Sequence, residues 1–148
     1  MSLEEQIENK FKTALKQKDK IQVSTLRMLK AEIINIKLEQ NKKALKDEEI
    51  IKIIQRQVKQ HKDSIEQFEK GKRQDLAEKE KKELAILSSY MPEQLSAEEL
   101  KKIIEDVIKE LEATSKSEMG KVMKSVMVRV KGRADGKKIS QIVSNLLR

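Results

Sequence analysis

Apolar residues recur every three or four positions along the chain, which is the spacing of a helix with one buried face. In the first part of the chain this stripe is interrupted three times, so four helices are predicted. They run over about residues 3–18, 19–41, 47–71 and 73–90. A Ser-x-x-Glu capping box at residues 2–5 begins the first helix.

Pro92 marks a boundary, because a proline disfavours the helical conformation of the residue before it. Three further apolar stripes follow it, preceded by candidate N-caps at Ser96, Ser115 and Asp135. The sequence therefore predicts an all-α protein. Its N-terminal four-helix domain covers residues 1–91, and a C-terminal three-helix bundle covers residues 92–148, the two being joined at a proline hinge.

Composition supports helices and excludes several classes of protein. Charged residues make up 39% of the 148 residues, with one proline and four glycines. Three aromatic residues are too few for a β-rich core or for a platform on which RNA bases stack. The lack of cysteine excludes disulfides, thiolate metal sites and cysteine nucleophiles.

The start of the chain is acidic, and no run of 18 apolar residues occurs. These features predict a soluble cytoplasmic protein with no membrane partner.

Catalytic chemistry has little support in the sequence. His61 is the only histidine, and neither a Gly-x-Ser-x-Gly turn nor a complete phosphate loop is present. His61 lies on the apolar stripe of the third helix, where no carboxylate of that helix orients it, so a packing role is expected. The carboxylates are expected on solvated faces among lysines. We predict no catalytic residue, no metal and no cofactor.

Positive charge is concentrated at the end of the chain, whose overall formal charge is +8. Residues 115–148 carry nine basic and two acidic side chains, net +7, whereas residues 92–114 are net −4. A cationic surface of this kind attracts polyanions. The predicted nucleic-acid contacts are Lys121, Lys124, Arg129, Lys131, Arg133, Lys137 and Lys138.

Three features refine this prediction. Asp135 is expected to cap the last helix, so phosphates would meet side chains rather than its backbone amides. Gly120 and Gly132 are candidates for close approach of a helix or a ligand backbone.

Methionines at 119, 123 and 127 fit either a partner-binding face or the bundle core, and the valines that share their stripe favour the core.

Three separated motifs resemble the YqeY-like proteins of the GatB/YqeY family. They are Tyr-Met-Pro-Glu-Gln-Leu-Ser-Ala-Glu-Glu-Leu at 90–100, Met-Gly-Lys-Val-Met at 119–123 and Lys-Gly-Arg-Ala-Asp-Gly at 131–136. The resemblance covers essentially the whole chain. It implies an all-α protein with four N-terminal and three C-terminal helices.

The resemblance also implies a function. The related tail domain, in the B subunit of aspartyl/glutamyl-tRNA amidotransferase, contacts the body of the tRNA, while a separate cradle domain performs the chemistry. This chain has no counterpart of the cradle. It departs from the tail motif at Asp135-Gly136, where the tail often has Asn-Pro. The positions that match the motif are Gly120, Lys121, Met123, Lys131, Gly132, Arg133 and Ala134.

We therefore expect a cytoplasmic accessory protein that binds tRNA or other structured RNA through its basic C-terminal part. One alternative is an accessory or regulatory component of glutamine-dependent tRNA amidotransfer, a carbon–nitrogen ligase reaction, with the amidotransferase complex as partner. A second alternative is a protein-interaction module that receives a partner helix.

Overall fold

The computed structural model describes residues 1–147, and they form seven α-helices and no β-strand. The predicted all-α fold is confirmed. The chain divides into two compact units, Met1–Met91 and Pro92–Arg148. Among the described helices, none is both long enough and apolar enough to cross a membrane.

Local sequence signals fix the helix starts of the first unit. The Ser2 hydroxyl accepts the N–H of Glu5, and the Glu5 carboxylate accepts the N–H of Ser2. Asp19 accepts the N–H of Gln22 at 3.2 Å, so only two residues separate the first two helices. The helices are α1 Leu3–Gln17, α2 Lys20–Glu39, α3 Asp47–Lys70 and α4 Gln74–Ser88.

The core of the first unit is aliphatic. Burying each of these side chains contributes about 1.5–3 kcal/mol, which offsets the entropy lost on ordering the helices. Helices α3 and α4 form a hairpin through a three-residue connection that contains Gly71. The buried core residues are Leu3, Ile7, Leu26, Leu29, Ile33, Leu45, Ile50, Ile53, Ile54 and Leu87.

The α3–α4 hairpin corrects one prediction. His61 is buried, at 6% exposure, as its place on the apolar stripe indicates. Glu83 of α4 is also buried, at 5% exposure, and its Oε2 lies 3.0 Å from His61 Nε2. The expectation that the carboxylates lie on solvated faces is therefore wrong for Glu83. A carboxylate does meet His61, but it comes from the neighbouring helix.

The second unit consists of three α-helices and one short 3-10 turn. The sixth predicted helix begins with this turn, Lys116–Glu118, before the α-helix proper. The turn tightens the backbone where Ser115 and Glu118 form a capping box. The helices are α5 Ala97–Leu111, α6 Met119–Val130 and α7 Gly136–Leu146.

The three helices enclose a core of their own, to which α6 contributes a row of valines. Met119 and Met123 pack against this core, whereas Met127 is 41% exposed. The core prediction for the methionine stripe thus holds for the first two residues and is wrong for Met127. The buried core residues are Leu100, Ile104, Val107, Ala113, Val122, Val126, Val130, Ala134, Ile139, Val143 and Leu147.

The capping box before α6 makes stability depend on pH. The Glu118 carboxylate accepts the N–H of Thr114 at 2.7 Å and of Ser115 at 3.2 Å, and these bonds lower the pKa of Glu118 below its ordinary 4.5. A lowered pKa stabilises the folded state above the unfolded pKa, and this contribution is lost as pH falls through the folded pKa.

We predict that Glu118→Gln is less stable than the native chain at about pH 7, because the charge-assisted bonds are weakened. The difference should shrink once the pH falls below both pKa values of Glu118. Urea unfolding at a series of pH values downward from about pH 7 measures it. A difference that does not shrink anywhere in the series would contradict the assignment.

Candidate nucleic-acid interface

The turn between α6 and α7 holds two consecutive residues in the left-handed region of backbone conformation. Lys131 ends α6 with φ 48°, and Gly132 follows with φ 81°. The Arg133 N–H then donates to the Val130 carbonyl oxygen at 2.9 Å. Glycine adopts such a φ without steric cost, which explains its presence at the second position.

The segment before α5 fastens this turn. The Leu95 N–H donates to the Arg133 carbonyl oxygen at 2.8 Å, and the Gln94 side-chain amide donates to the Gly132 carbonyl oxygen at 3.3 Å. In the reverse direction, Arg133 Nε donates to the Glu93 carbonyl oxygen at 3.0 Å. Two motifs that are far apart in the sequence therefore form one hydrogen-bonded structure.

Asp135 caps α7, as the sequence predicts. Its Oδ1 accepts the N–H of Lys137 at 2.8 Å. A carboxylate at a helix N-terminus satisfies the free amides and neutralises part of the positive end of the helix dipole. An anion that approaches this turn therefore meets lysine side chains before it meets the helix backbone.

All seven predicted cationic residues are exposed, but two of them have partners. Arg129 pairs with Glu110 of α5, so an acidic residue neutralises it. Arg133 holds the Glu93 carbonyl, which makes it an anchor of the turn. The other five form no ion pair within residues 1–147 and are Lys121, Lys124, Lys131, Lys137 and Lys138.

Two of these five lysines share one side of α6. Lys121 and Lys124 are three residues apart on the helix, on the side away from the buried valine row. Lys131 follows directly after the helix in the left-handed conformation, and Lys137 and Lys138 lie at the start of α7.

The structure corrects one of the two close-approach interpretations of Gly120. A Cβ atom built at Gly120 would meet no atom within 4 Å, so no neighbouring helix lies against it, and approach of a ligand backbone stays a prediction. Gly132 has a different reason for being glycine, which is its positive φ. Helix propensity alone gave no way to separate these two cases.

The two glycines should respond oppositely to substitution. Gly120→Ala should raise the free energy of unfolding by about 0.5–1 kcal/mol, because alanine favours the helix and the space is open. Gly132→Ala should lower it by about 1–2 kcal/mol, because alanine is strained at this φ. Urea unfolding of both variants measures the pair. A loss of stability in Gly120→Ala would restore the close-approach interpretation.

Fold and turn together define an all-α protein with a basic C-terminal helical unit. A family model described as Yqey-like protein matches residues 4–147. The chain therefore belongs to the YqeY-like family.

Curated relatives agree with this assignment. Altered inheritance of mitochondria protein 41, mitochondrial, of Pyrenophora tritici-repentis is 35% identical over 140 residues, which cover 90% of this chain and 76% of the relative. The protein of the same name in Candida glabrata is 32% identical over 105 residues, covering 69% of this chain and 58% of the relative. An uncharacterized protein of Schizosaccharomyces pombe is 32% identical over 95 residues, covering 64% of this chain and 76% of the relative.

The names of these relatives contradict the predicted cytoplasmic location. The Pyrenophora, Candida and Kluyveromyces lactis relatives are all named as mitochondrial proteins. The prediction rested on an acidic first segment and on the lack of an 18-residue apolar run. Neither property distinguishes the cytoplasm from a mitochondrion.

Proposed function

We propose that this chain binds structured RNA, with tRNA as the first candidate, through the five lysines without ion pairs that lie on α6, in the α6–α7 turn and at the start of α7. The observation that carries the proposal is that these five ammonium groups are exposed and free of ion pairs within residues 1–147. They lie in a segment with nine basic and two acidic residues. Phosphate oxygens are the partners that such groups bind without reading sequence.

The fastened turn favours binding. Lys131 follows α6 directly, in a turn that is held to residues 93–95 by three hydrogen bonds. A backbone that is already ordered loses less entropy when its side chains meet a ligand. Arg133 stabilises the turn through its bond to Glu93, and Arg129 is paired with Glu110 of α5. Replacing either arginine would disturb the structure of the unit, so the lysines are the better residues with which to test phosphate contact.

The curated relatives add a setting to this proposal. Because they are named as mitochondrial proteins, the RNA partner is sought first among mitochondrial tRNAs.

The proposal predicts how binding depends on salt. For the full chain and tRNA, log affinity should fall linearly with log salt concentration, by about 0.7–0.9 for each phosphate contacted. The triple variant Lys121→Gln, Lys124→Gln, Lys131→Gln should flatten this slope by about 2–3 units. Fluorescence anisotropy of labelled tRNA over a range of salt concentrations measures both slopes.

A matched control removes the same charge elsewhere in the same unit. The control is the triple variant Lys101→Gln, Lys102→Gln, Lys109→Gln, which removes three exposed lysines of α5 in the acidic segment. It should leave the slope of log affinity against log salt within about half a unit of the native value. Equal flattening in the two triple variants would mean that only overall charge matters. No binding by the native chain at low salt would exclude the proposal.

The protein-interaction module is a second candidate, and one observation favours it. Met127 and Val128 of α6 are 41% and 68% exposed. Methionine and valine in such positions suit an apolar partner surface. In the double variant Met127→Ser, Val128→Ser, loss of a co-purifying protein with unchanged tRNA affinity would favour this candidate over RNA binding.

A further inference from the structure

The buried histidine of the α3–α4 hairpin has a defined tautomer. His61 Nδ1 lies 2.8 Å from the backbone carbonyl oxygen of Gln57. A carbonyl oxygen only accepts hydrogen bonds, so Nδ1 carries a proton and donates it. In the neutral ring, Nε2 therefore presents a lone pair.

That lone pair faces two carboxylates of α4. His61 Nε2 lies 3.0 Å from Glu83 Oε2 and 3.4 Å from Glu80 Oε2. Nitrogen and oxygen atoms with lone pairs repel one another at these distances unless a proton or a metal ion lies between them. The cluster therefore holds either a shared proton or a metal ion.

No lysine or arginine joins the cluster. Within residues 1–147, His61 is the only basic residue paired with Glu80 or Glu83. Gln57, one turn before His61 on α3, donates its Nε2 to the Met28 carbonyl oxygen at 3.5 Å, and its buried Oε1 has no hydrogen-bond partner.

The geometry suits a metal ion. One ligand atom from each of His61, Glu80 and Glu83 lies within 4.8 Å of the others. Zinc binds imidazole and carboxylate at about 2.0–2.2 Å, so ligand atoms around a tetrahedral ion lie roughly 3.3–3.6 Å apart; the His61–Glu80 distance of 3.4 Å lies in this range, and the His61–Glu83 distance of 3.0 Å would lengthen slightly around an ion. A metal-bound histidine usually donates its other N–H to a carbonyl or carboxylate, as Nδ1 does here.

The cluster is also accessible. The side chain of Glu80 is 24% exposed, whereas those of His61 and Glu83 are 7% exposed. An ion can enter past Glu80, and a water molecule can take the fourth position on that side.

We propose that His61, Glu80 and Glu83 form a binding site for a divalent transition-metal ion of the zinc class, which clamps α3 to α4. Imidazole together with two carboxylates favours zinc or its first-row neighbours over magnesium, which prefers oxygen ligands and water. This site lies in the first unit and is independent of the lysines proposed to bind RNA.

The test uses the untagged full chain, in which His61 is the only imidazole. Titration with Zn²⁺ in the calorimeter should show one ion bound per chain, and Mg²⁺ at the same concentration should not compete. Glu83→Gln and His61→Gln should each weaken Zn²⁺ binding at least about a hundredfold. The control Glu66→Gln, on an exposed carboxylate of α3, should bind like the native chain.

Two further readouts separate metal binding from a protonated histidine. Ring ¹⁵N NMR should show the Nε2 signal shifting with Zn²⁺ while Nδ1 keeps its proton. At about a hundredfold excess over the dissociation constant, Zn²⁺ should raise the melting temperature by on the order of 10 °C in the native chain and leave Glu83→Gln unchanged.

Two results would overturn the proposal. The first is a ring that keeps protons on both nitrogens in the presence of Zn²⁺, which would make the cation of this cluster a proton. The second is equal Zn²⁺ affinity in the native chain, Glu83→Gln and His61→Gln, which would place any bound ion on the surface.

Discussion

The hydrogen bond from the Leu95 N–H to the Arg133 carbonyl oxygen is the constraint on which the basic unit depends. It joins the segment before the first helix of the unit to the turn before the last one. The two side-chain bonds beside it, from Gln94 and Arg133, complete the junction. Because these three bonds hold residues 93–95 against the turn, the position of the turn that carries Lys131 depends on the rest of the unit as well as on the sequence of the turn.

The two candidate sites illustrate one electrostatic rule with opposite outcomes. An exposed lysine without a partner is well hydrated and costs the fold little, so it remains available for a phosphate. A buried carboxylate without a partner costs several kcal/mol, and Glu83 meets this requirement through His61 inside the folded unit. The C-terminal lysines thus remain available to an external phosphate, whereas the Glu83 carboxylate is paired within the unit, where the proposed metal ion would bind it.

Much of the fold was predictable because its signals are local. Asp19, Ser96 and Asp135 each accept a backbone N–H at the helix start that the sequence indicated. Pairs formed between helices were not predictable in this way. Neither the approach of Glu83 to His61 nor the pairing of Glu110 with Arg129 follows from spacing within one helix, because each depends on how two helices pack. The burial of Glu83 could nonetheless have been predicted, because Glu83 lies four residues before the buried Leu87 and therefore on the inward face of its helix.

In the proposed complex, RNA contacts the lysines of α6, of the α6–α7 turn and of the start of α7. Backbone amide NMR of the ¹⁵N-labelled full chain, with unlabelled tRNA added in steps, tests it most directly. If RNA binds these lysines, the signals of residues 121–138 should shift or broaden first, while those of α5 between residues 97 and 111 should change least. Changes confined to residues 1–91, or no change at all at low salt, would contradict it.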